Sequence, residues 1–361
     1  MATVRRIAVI GAGLAGLACA LAASATGAEV DVFEAATALP EPPAHVDLVP
    51  NLWRDLVALG LGPACLREGF AYHGAAMVDG EGAPMFDWPT QALAGPRFPA
   101  AVGIACGRLL RVLADAAQAQ GARLHWGRRV TDVDAARGLL SLAGGGRQRA
   151  DLLLLASGRE DRHANAAVHH WWTALMARPQ GLERPTWIVS TGGHKLQLVP
   201  VSADQAGLAV PQAAPLPPRQ EDRHAALRDS LAAQGPAARA LADRLPDGLA
   251  VAQRAVQPWL LDSPWHRGGA LSVGERAHAL APHFGQSAAQ ALEDATVLGD
   301  LLRQGLARDT LLATFMARRA PRAQQVFGIT TQAARWDLHP VPATDFGALL
   351  AELGRVVATA A

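Results

Sequence analysis

Three glycines near the N-terminus have the spacing that a bound pyrophosphate requires. Gly11, Gly13 and Gly16 form a GxGxxG pattern directly after the apolar run 7–10. In this pattern one glycine makes a tight turn, one lets the backbone approach the pyrophosphate, and one allows a helix to pack closely on a strand. The N-terminus of the following helix presents N–H groups and the positive end of its dipole to the phosphates. The spacing therefore predicts a dinucleotide site.

An acidic residue stands where such a site binds a ribose. The alternating segment 29–33 predicts a second strand, and Glu34 follows it, 18 positions after Gly16. A carboxylate at this point accepts hydrogen bonds from ribose hydroxyls. Arg5 and Arg6, followed by an apolar stretch, are also typical of a secretory leader. The strand, glycine, helix and acid features together favour a βαβ unit over that single feature.

Composition excludes several other classes of protein. The 361 residues carry 33 Lys and Arg against 32 Asp and Glu, which argues against nucleic acid as a partner. The hydrophobic fraction of 50% and charged fraction of 18% indicate a folded chain without a membrane span. Cys19, Cys65 and Cys106 form neither a CxxC pattern nor a cluster with histidines. We therefore expect no metal site, no disulfide framework and a cytoplasmic location.

A second motif distinguishes a flavoprotein from a nicotinamide dehydrogenase, because both classes use the same glycine pattern. Residues 274–295 read GERAHALAPHFGQSAAQALEDA. This segment resembles the second flavin motif of the class A FAD-dependent aromatic hydroxylases, roughly GDAAHxxxPxxGQGxxxAxEDA. The segments 46–51, 151–158 and 318–322 extend the resemblance along the chain. The sequence is most similar to the salicylate-hydroxylase-like branch of that family.

The resemblance implies an α/β fold, with a Rossmann-like FAD-binding domain and an inserted mixed β-sheet substrate domain, as in p-hydroxybenzoate hydroxylase. The expected FAD-binding domain comprises residues 1–63, 99–160 and 258–361, and the expected substrate domain residues 64–98 and 161–257. Apolar periodicity predicts helices over 50–59, 104–120, 221–233, 236–244, 286–303 and 309–335. Alternating or unbroken apolar runs predict strands over 72–79, 84–88, 123–126, 130–134, 151–158, 187–190, 194–201, 206–210 and 271–274.

The residues that the resemblance assigns to FAD lie in five short segments. They are Gly11, Gly13, Gly16, Glu34, Cys106, Arg108, Ser157, Gly158, Glu275, Pro282, Gly285, Gln286 and Ser287. Glu275 is expected to reach the ribityl or phosphate linker. Backbone N–H groups where a helix begins near Gln286 are expected to stabilise negative charge on the reduced flavin.

Four of these positions depart from the family pattern. Ser157 stands where a DG motif has aspartate, and Glu275 is one methylene longer than the usual aspartate. Cys106 stands where the family often has arginine, and Ser287 replaces the last glycine of GQG. Three of these departures, at Ser157, Glu275 and Cys106, leave open a degenerate member that binds a ligand without turnover.

The activity that the resemblance implies is hydroxylation of an aromatic substrate. NADH or NADPH acts as a transient reductant of FAD, and O2 reacts to give a flavin C4a-hydroperoxide that transfers an OH group. A flavin dehydrogenase or oxidase on the same fold is the enzymatic alternative. The expected substrate is a small aromatic molecule, although a residue on another protein is also compatible, and the chain is expected to be a monomer or homodimer.

The catalytic candidates are His283, Pro282, His194 and Tyr72. His283 and Pro282 lie in the segment that edges the flavin, where His283 either exchanges a proton or makes a structural hydrogen bond. His194 begins a strand expected above the ring. Tyr72 either orients a substrate hydroxyl or exposes its polar tip at the surface. The tryptophans at 171–172 line an aromatic pocket or form the packed face of a helix.

Overall fold

The computed structural model describes residues 4–158, 169–190, 194–212, 215, 217, 219–338 and 345–361. The helices are α1 (Leu14–Ser24), α2 (Pro50–Ala58), α3 (Gly62–Glu68), α4 (Cys106–Ala119), α5 (Gln220–Ala232), α6 (Pro236–Ala242), α7 (Gln286–Arg303), α8 (Arg308–Leu338) and α9 (Phe346–Val357). Two 3₁₀ turns cover Gly274–Arg276 and His283–Gly285.

The strands fall along the whole chain between these helices. They are β1 (Arg6–Ile10), β2 (Glu29–Phe33), β3 (His45–Leu48), β4 (Phe70–Tyr72), β5 (Ala75–Asp79), β6 (Pro84–Trp88), β7 (Ala101–Ala105), β8 (Arg123–His125), β9 (Val130–Asp134), β10 (Leu139–Leu142), β11 (Arg147–Arg149), β12 (Leu152–Leu155), β13 (His169–Ala177), β14 (Thr186–Val189), β15 (Lys195–Pro200), β16 (Gln205–Gln212), β17 (Ala252–Val256), β18 (Trp259–Leu260), β19 (His266–Arg267), β20 (Ala270–Ser272) and β21 (His278–Ala279).

A parallel sheet forms the first structural layer. Its strand order is β19-β20-β12-β1-β2-β8, and all of its pairs are parallel except β19 with β20. The leucines at 152–154 of β12 are fully buried, as expected for a strand covered on both faces. The βαβ unit of β1, α1 and β2 has the architecture that the glycine spacing predicts.

A mixed sheet of seven strands forms the second layer, in the order β17-β13-β16-β15-β14-β5-β6. It joins β5 and β6 to strands that lie about a hundred positions later, and β5 pairs parallel with β14. The fold is therefore α/β, with a Rossmann-like layer and a separate mixed sheet. A small sheet, β3-β7-β4, pairs strands from both sides of the boundary expected near residue 63, and the domain limits stay a prediction.

Two local expectations were wrong. The segment 72–79 does not form one strand, because Gly74 has φ of +70° and separates β4 from β5, which belong to different sheets. The alternative that placed the tryptophans at 171–172 on a helix is also wrong, since both lie in β13. Bulky aromatic residues fit a pleated surface, and the pairing of β13 with both β16 and β17 decides its conformation.

A buried charge network joins the second motif to the long helix α8. Asp294 on α7 accepts hydrogen bonds from Gly274 N at 2.8 Å, His278 Nε2 at 2.7 Å and Arg319 Nε at 2.8 Å. Arg319 also donates to Glu293 at 2.5 Å. Burial alone would raise the pKa of Asp294, but His278, Arg319 and the Gly274 N–H outweigh it and lower the pKa to about 2. The side chain of Arg319 is fully buried and contacts α7 rather than solvent.

We expect Arg319→Met to lower the free energy of unfolding by about 3–5 kcal/mol, because it removes the fully buried cation that Glu293 and Asp294 share. Urea unfolding followed by circular dichroism measures this change. Arg318→Met is the matched control, since Arg318 is partly exposed and pairs with Asp300 at 3.4 Å. The control should cost less than about 1 kcal/mol. Equal losses for the two variants would contradict the proposed importance of the network.

Candidate functional site

The predicted nucleotide residues meet at one edge of the parallel sheet. Gly11 follows β1, Glu34 follows β2, Ser157 follows β12, and Glu275 follows β20. Because these four strands are parallel, their carboxyl ends lie at the same edge, where α/β proteins bind ligands. Segments separated by more than two hundred residues thereby form one cleft.

The three glycines have three different environments. Gly11 has φ of +104°, and a Cβ atom there would lie 2.8 Å from the Ala156 carbonyl oxygen. A Cβ atom on Gly16 would lie 1.9 Å from the Gly11 carbonyl oxygen, whereas one on Gly13 would meet no atom within 4 Å. The first glycine therefore makes the turn, the third permits close packing, and Gly13 leaves the backbone open to a ligand.

Glu34 is joined to the glycine loop by a direct hydrogen bond. Its carboxylate accepts from the N–H of Ala12 and from that of Ala36, each at 2.8 Å. Helix α1 begins after Gly13 with no side-chain cap among the described residues. The N–H groups of the first turn of α1 are thus available to a phosphate. The half-buried carboxylate of Glu34 lies at the end of the neighbouring strand β2. This arrangement fits the adenosine and pyrophosphate parts of FAD.

The loop before α7 is held against the corner between β3 and α2. The amides of Gln286 and Asn51 form a mutual pair at 3.1 and 3.2 Å. A Cβ atom on Gly285 would lie 2.7 Å from the Val49 side chain. Phe284 and Gly285 both have left-handed backbones, with φ of 59° and 67°. The Gln286 side chain therefore positions the loop, and Pro282 begins it.

A cluster around Glu275 and Ser287 contains several predicted FAD residues. The Glu275 carboxylate pairs with Arg254, a residue of β17 that the motifs do not include. Arg254 Nη2 also donates to Ser287 Oγ at 3.1 Å. Burial raises the pKa of the Cys106 thiol, which the nearby Arg254 lowers only in part. Arg108 is exposed and pairs instead with Glu68 at 2.7 Å.

Ser157 and Gly158 lie directly beside the glycine loop. A Cβ atom on Gly11 would be 2.9 Å from Ser157 Cα, and the Ser157 side chain is exposed. The Gly158 carbonyl accepts from Arg276 at 3.1 Å. Residues 159–168, which follow, lie outside the described part of the chain.

His283 is buried and belongs to a group of three charged or titratable side chains. Its Nε2 lies 2.6 Å from Asp337 Oδ2, and Asp337 also accepts from Lys195 Nζ. Burial would raise the pKa of Asp337, but His283 and Lys195 outweigh it and lower the pKa. The Trp171 ring packs edge-on against His283, with 5.7 Å between centroids. The motifs indicate only His283, because Lys195 and Asp337 come from β15 and α8.

The remaining catalytic candidates, Tyr72 and His194, are not part of the His283 group. Tyr72 is 5% exposed and its hydroxyl donates to Asp47, so the expectation of an exposed polar tip was wrong. Burial raises the pKa of Asp47 to about 6, although the Tyr72 hydrogen bond lowers it in part. His194 has an exposed side chain, and its carbonyl accepts from Ser190 N at 2.9 Å. Catalytic roles for these residues stay predictions.

Comparison with known proteins agrees with this geometry. Residues 5–330 match the family described as FAD binding domain. The chain belongs to this family. A urate hydroxylase of Klebsiella pneumoniae is 27% identical over 352 residues, covering 88% of this chain and 86% of that protein. Salicylate hydroxylase of Pseudomonas putida is 27% identical over 384 residues, with coverage of 89% and 83%.

A solved structure extends the agreement to the fold. Klebsiella pneumoniae HpxO, in complex with FAD and uric acid, superposes with a TM-score of 0.79 at 23% sequence identity. The superposition covers 98% of this chain and 93% of that one. The family match and the related hydroxylases show that the present chain is a class A FAD-dependent monooxygenase, and its cofactor is FAD. Within the described residues, no helix of the monooxygenase is long and apolar enough to cross a membrane.

We expect Glu34→Ala to weaken FAD binding roughly 10- to 100-fold, because charged hydrogen-bond acceptors contribute about 1.5–3 kcal/mol each. Titration of the apoprotein with FAD, followed by quenching of flavin fluorescence, gives the dissociation constant. Glu29→Ala is the control, since Glu29 opens the same strand with an exposed side chain. An unchanged FAD affinity in a folded Glu34→Ala protein would exclude this carboxylate from the site.

Proposed function

We propose that the enzyme hydroxylates a small aromatic substrate with NAD(P)H and O2. The observation that carries this proposal is the group of His283, Asp337 and Lys195 in and beside the flavin-edge loop, with the Trp171 ring packed on His283. The overall reaction is substrate–H + O2 + NAD(P)H + H⁺ → substrate–OH + H2O + NAD(P)⁺. When bound and reduced, FAD would activate O2, and one atom of that O2 would be transferred to the substrate.

One feature of the chain and the names of two relatives support an aromatic substrate. Trp171 packs edge-on against both His283 and Trp187, at 5.7 and 6.2 Å between centroids, which forms an apolar wall with one polar group. Substrate sites of this size are mostly apolar with a few placed polar residues. The relatives named as urate and salicylate hydroxylases act, by those names, on planar rings that bear hydroxyl or oxo groups.

His283 is the proposed acid–base residue. An aromatic ring reacts more readily with an electrophilic oxygen when its hydroxyl group loses a proton, and an imidazole can accept that proton near neutral pH. Asp337 orients the imidazole and offsets the positive charge that it gains. Lys195 holds the other carboxylate oxygen, so that Asp337 stays ionised. Burial of His283 restricts water around it, which favours transfer of oxygen to the substrate.

The reaction is tested with the FAD-loaded protein in two steps. Anaerobic addition of NADH or NADPH should bleach the flavin absorbance, and phenols or oxidised heteroaromatics should be screened for faster bleaching. Reoxidation under ¹⁸O2 should then place one labelled atom in the product, as mass spectrometry can detect. Stoichiometric hydrogen peroxide with no label in an altered product would indicate the oxidase alternative. A flavin that neither reductant bleaches would contradict the proposed reductive half-reaction.

We expect His283→Asn to slow hydroxylation about 100-fold or more at saturating substrate, as is usual for loss of a general base. Flavin absorbance and FAD affinity should not change, because the loop is held separately by Gln286 and Asn51. The control is His266→Asn, on β19 at the far edge of the parallel sheet. A bell-shaped or sigmoidal pH profile that survives His283→Asn unchanged would assign the titrating group elsewhere.

A further inference from the structure

Two departures from the family motifs contact one side chain, and the charge of that side chain acts on a third. Cys106, Glu275 and Ser287 come from two separate segments, and each differs from the residue that the family usually has there. In the structure Arg254 pairs with the Glu275 carboxylate and donates to Ser287 Oγ at 3.1 Å. Burial raises the pKa of the Cys106 thiol, and the positive charge of Arg254 lowers it in part. Glu275 and Ser287 therefore hold a single guanidinium group, whose charge also acts on Cys106.

Arg254 reaches this cluster from the mixed sheet. It lies on β17, directly opposite Trp171 of the neighbouring strand β13. Its side chain remains 40% exposed, and that of Glu275 34% exposed, so the ion pair is accessible at the cleft. A guanidinium has five N–H groups in a planar fork, so contacts with Glu275 and Ser287 leave further donors for an anionic ligand.

The positive charge of Arg254 can offset the negative charges that meet where FAD binds. The FAD pyrophosphate is negative, and the cleft already contains the carboxylates of Glu34 and Glu275. Position 106 supplies a neutral thiol, and Arg108 is turned toward Glu68. An anionic ligand beside two acids is unfavourable unless a cation compensates. In the described part of this cluster, Arg254 is the cation that contacts both Glu275 and Ser287.

We propose that Arg254 supplies the FAD-binding cation that the family usually places at position 106, and that Glu275 and Ser287 hold its guanidinium in that position. The longer side chain of glutamate reaches the guanidinium, and the hydroxyl of Ser287 gives it a second acceptor. The cation thus comes from a strand of the mixed sheet instead of the N-terminus of α4. This inference concerns the cofactor and is independent of the substrate.

The experiment measures the FAD dissociation constant of the wild type and three variants by flavin fluorescence quenching. Arg254→Met should weaken FAD binding roughly 10- to 100-fold, the usual effect of losing a charge-assisted contact. The double variant Cys106→Arg with Arg254→Met should recover most of that loss, because it returns the cation at the other position. Arg267→Met, an exposed change on β19, is the surface control.

Thermal unfolding of each apoprotein separates a binding effect from a folding effect. If Arg254→Met does not fold, Arg254→Lys replaces it, and it should retain part of the affinity because it keeps the charge but loses the planar fork. Unchanged FAD affinity in a folded Arg254→Met protein would overturn the proposal. A loss that Cys106→Arg fails to reduce would also overturn it, since the cation would then not be transferable between the two positions. Wild-type protein that binds no FAD would refute the cofactor itself.

Discussion

The buried ion pair between Asp294 and Arg319 is the interaction on which the rest of the site depends. Asp294 binds the backbone N–H of Gly274, the ring of His278 and the guanidinium of Arg319. It thereby joins the turn after β20, the start of the flavin-edge segment, and the two longest helices. A buried charge is costly unless every partner is present, so this network favours a single arrangement of these elements. Glu275 follows Gly274 directly and is positioned by that turn.

The cofactor cleft combines open backbone with closely placed charges. The glycines after β1 leave room for a pyrophosphate, whereas Glu34 and Glu275 bring negative charge to the same sheet edge. Arg254, from the mixed sheet, reduces the cost of this arrangement. The two sheets are therefore coupled through the cofactor site, because a strand of one contributes charge to a cleft formed by the other. The β13–β17 pairing also places Trp171 beside the catalytic candidate His283.

His283, Asp337 and Lys195 connect the flavin-edge loop, α8 and β15. Each residue comes from a different structural element, and the ion pairs stabilise the contact between these elements. Such a group can hold or release a proton with little rearrangement, since the Asp337 carboxylate already faces both the imidazole of His283 and the ammonium group of Lys195. His283 itself is buried, and this limits its contact with water, as an enzyme that activates oxygen requires.

The sequence by itself determined the βαβ unit, the buried strand β12, helix α7 and the family of the protein, because glycine spacing and apolar periodicity are local properties. It also indicated Glu34 and His283. The small sheet β3-β7-β4, the break at Gly74 and the strand conformation of Trp171 depend on pairing between distant segments, which short windows do not encode. Arg254, Lys195 and Asp337 belong to no motif. Only the tertiary structure placed them in the site, because long-range contacts and burial decide which charges face each other.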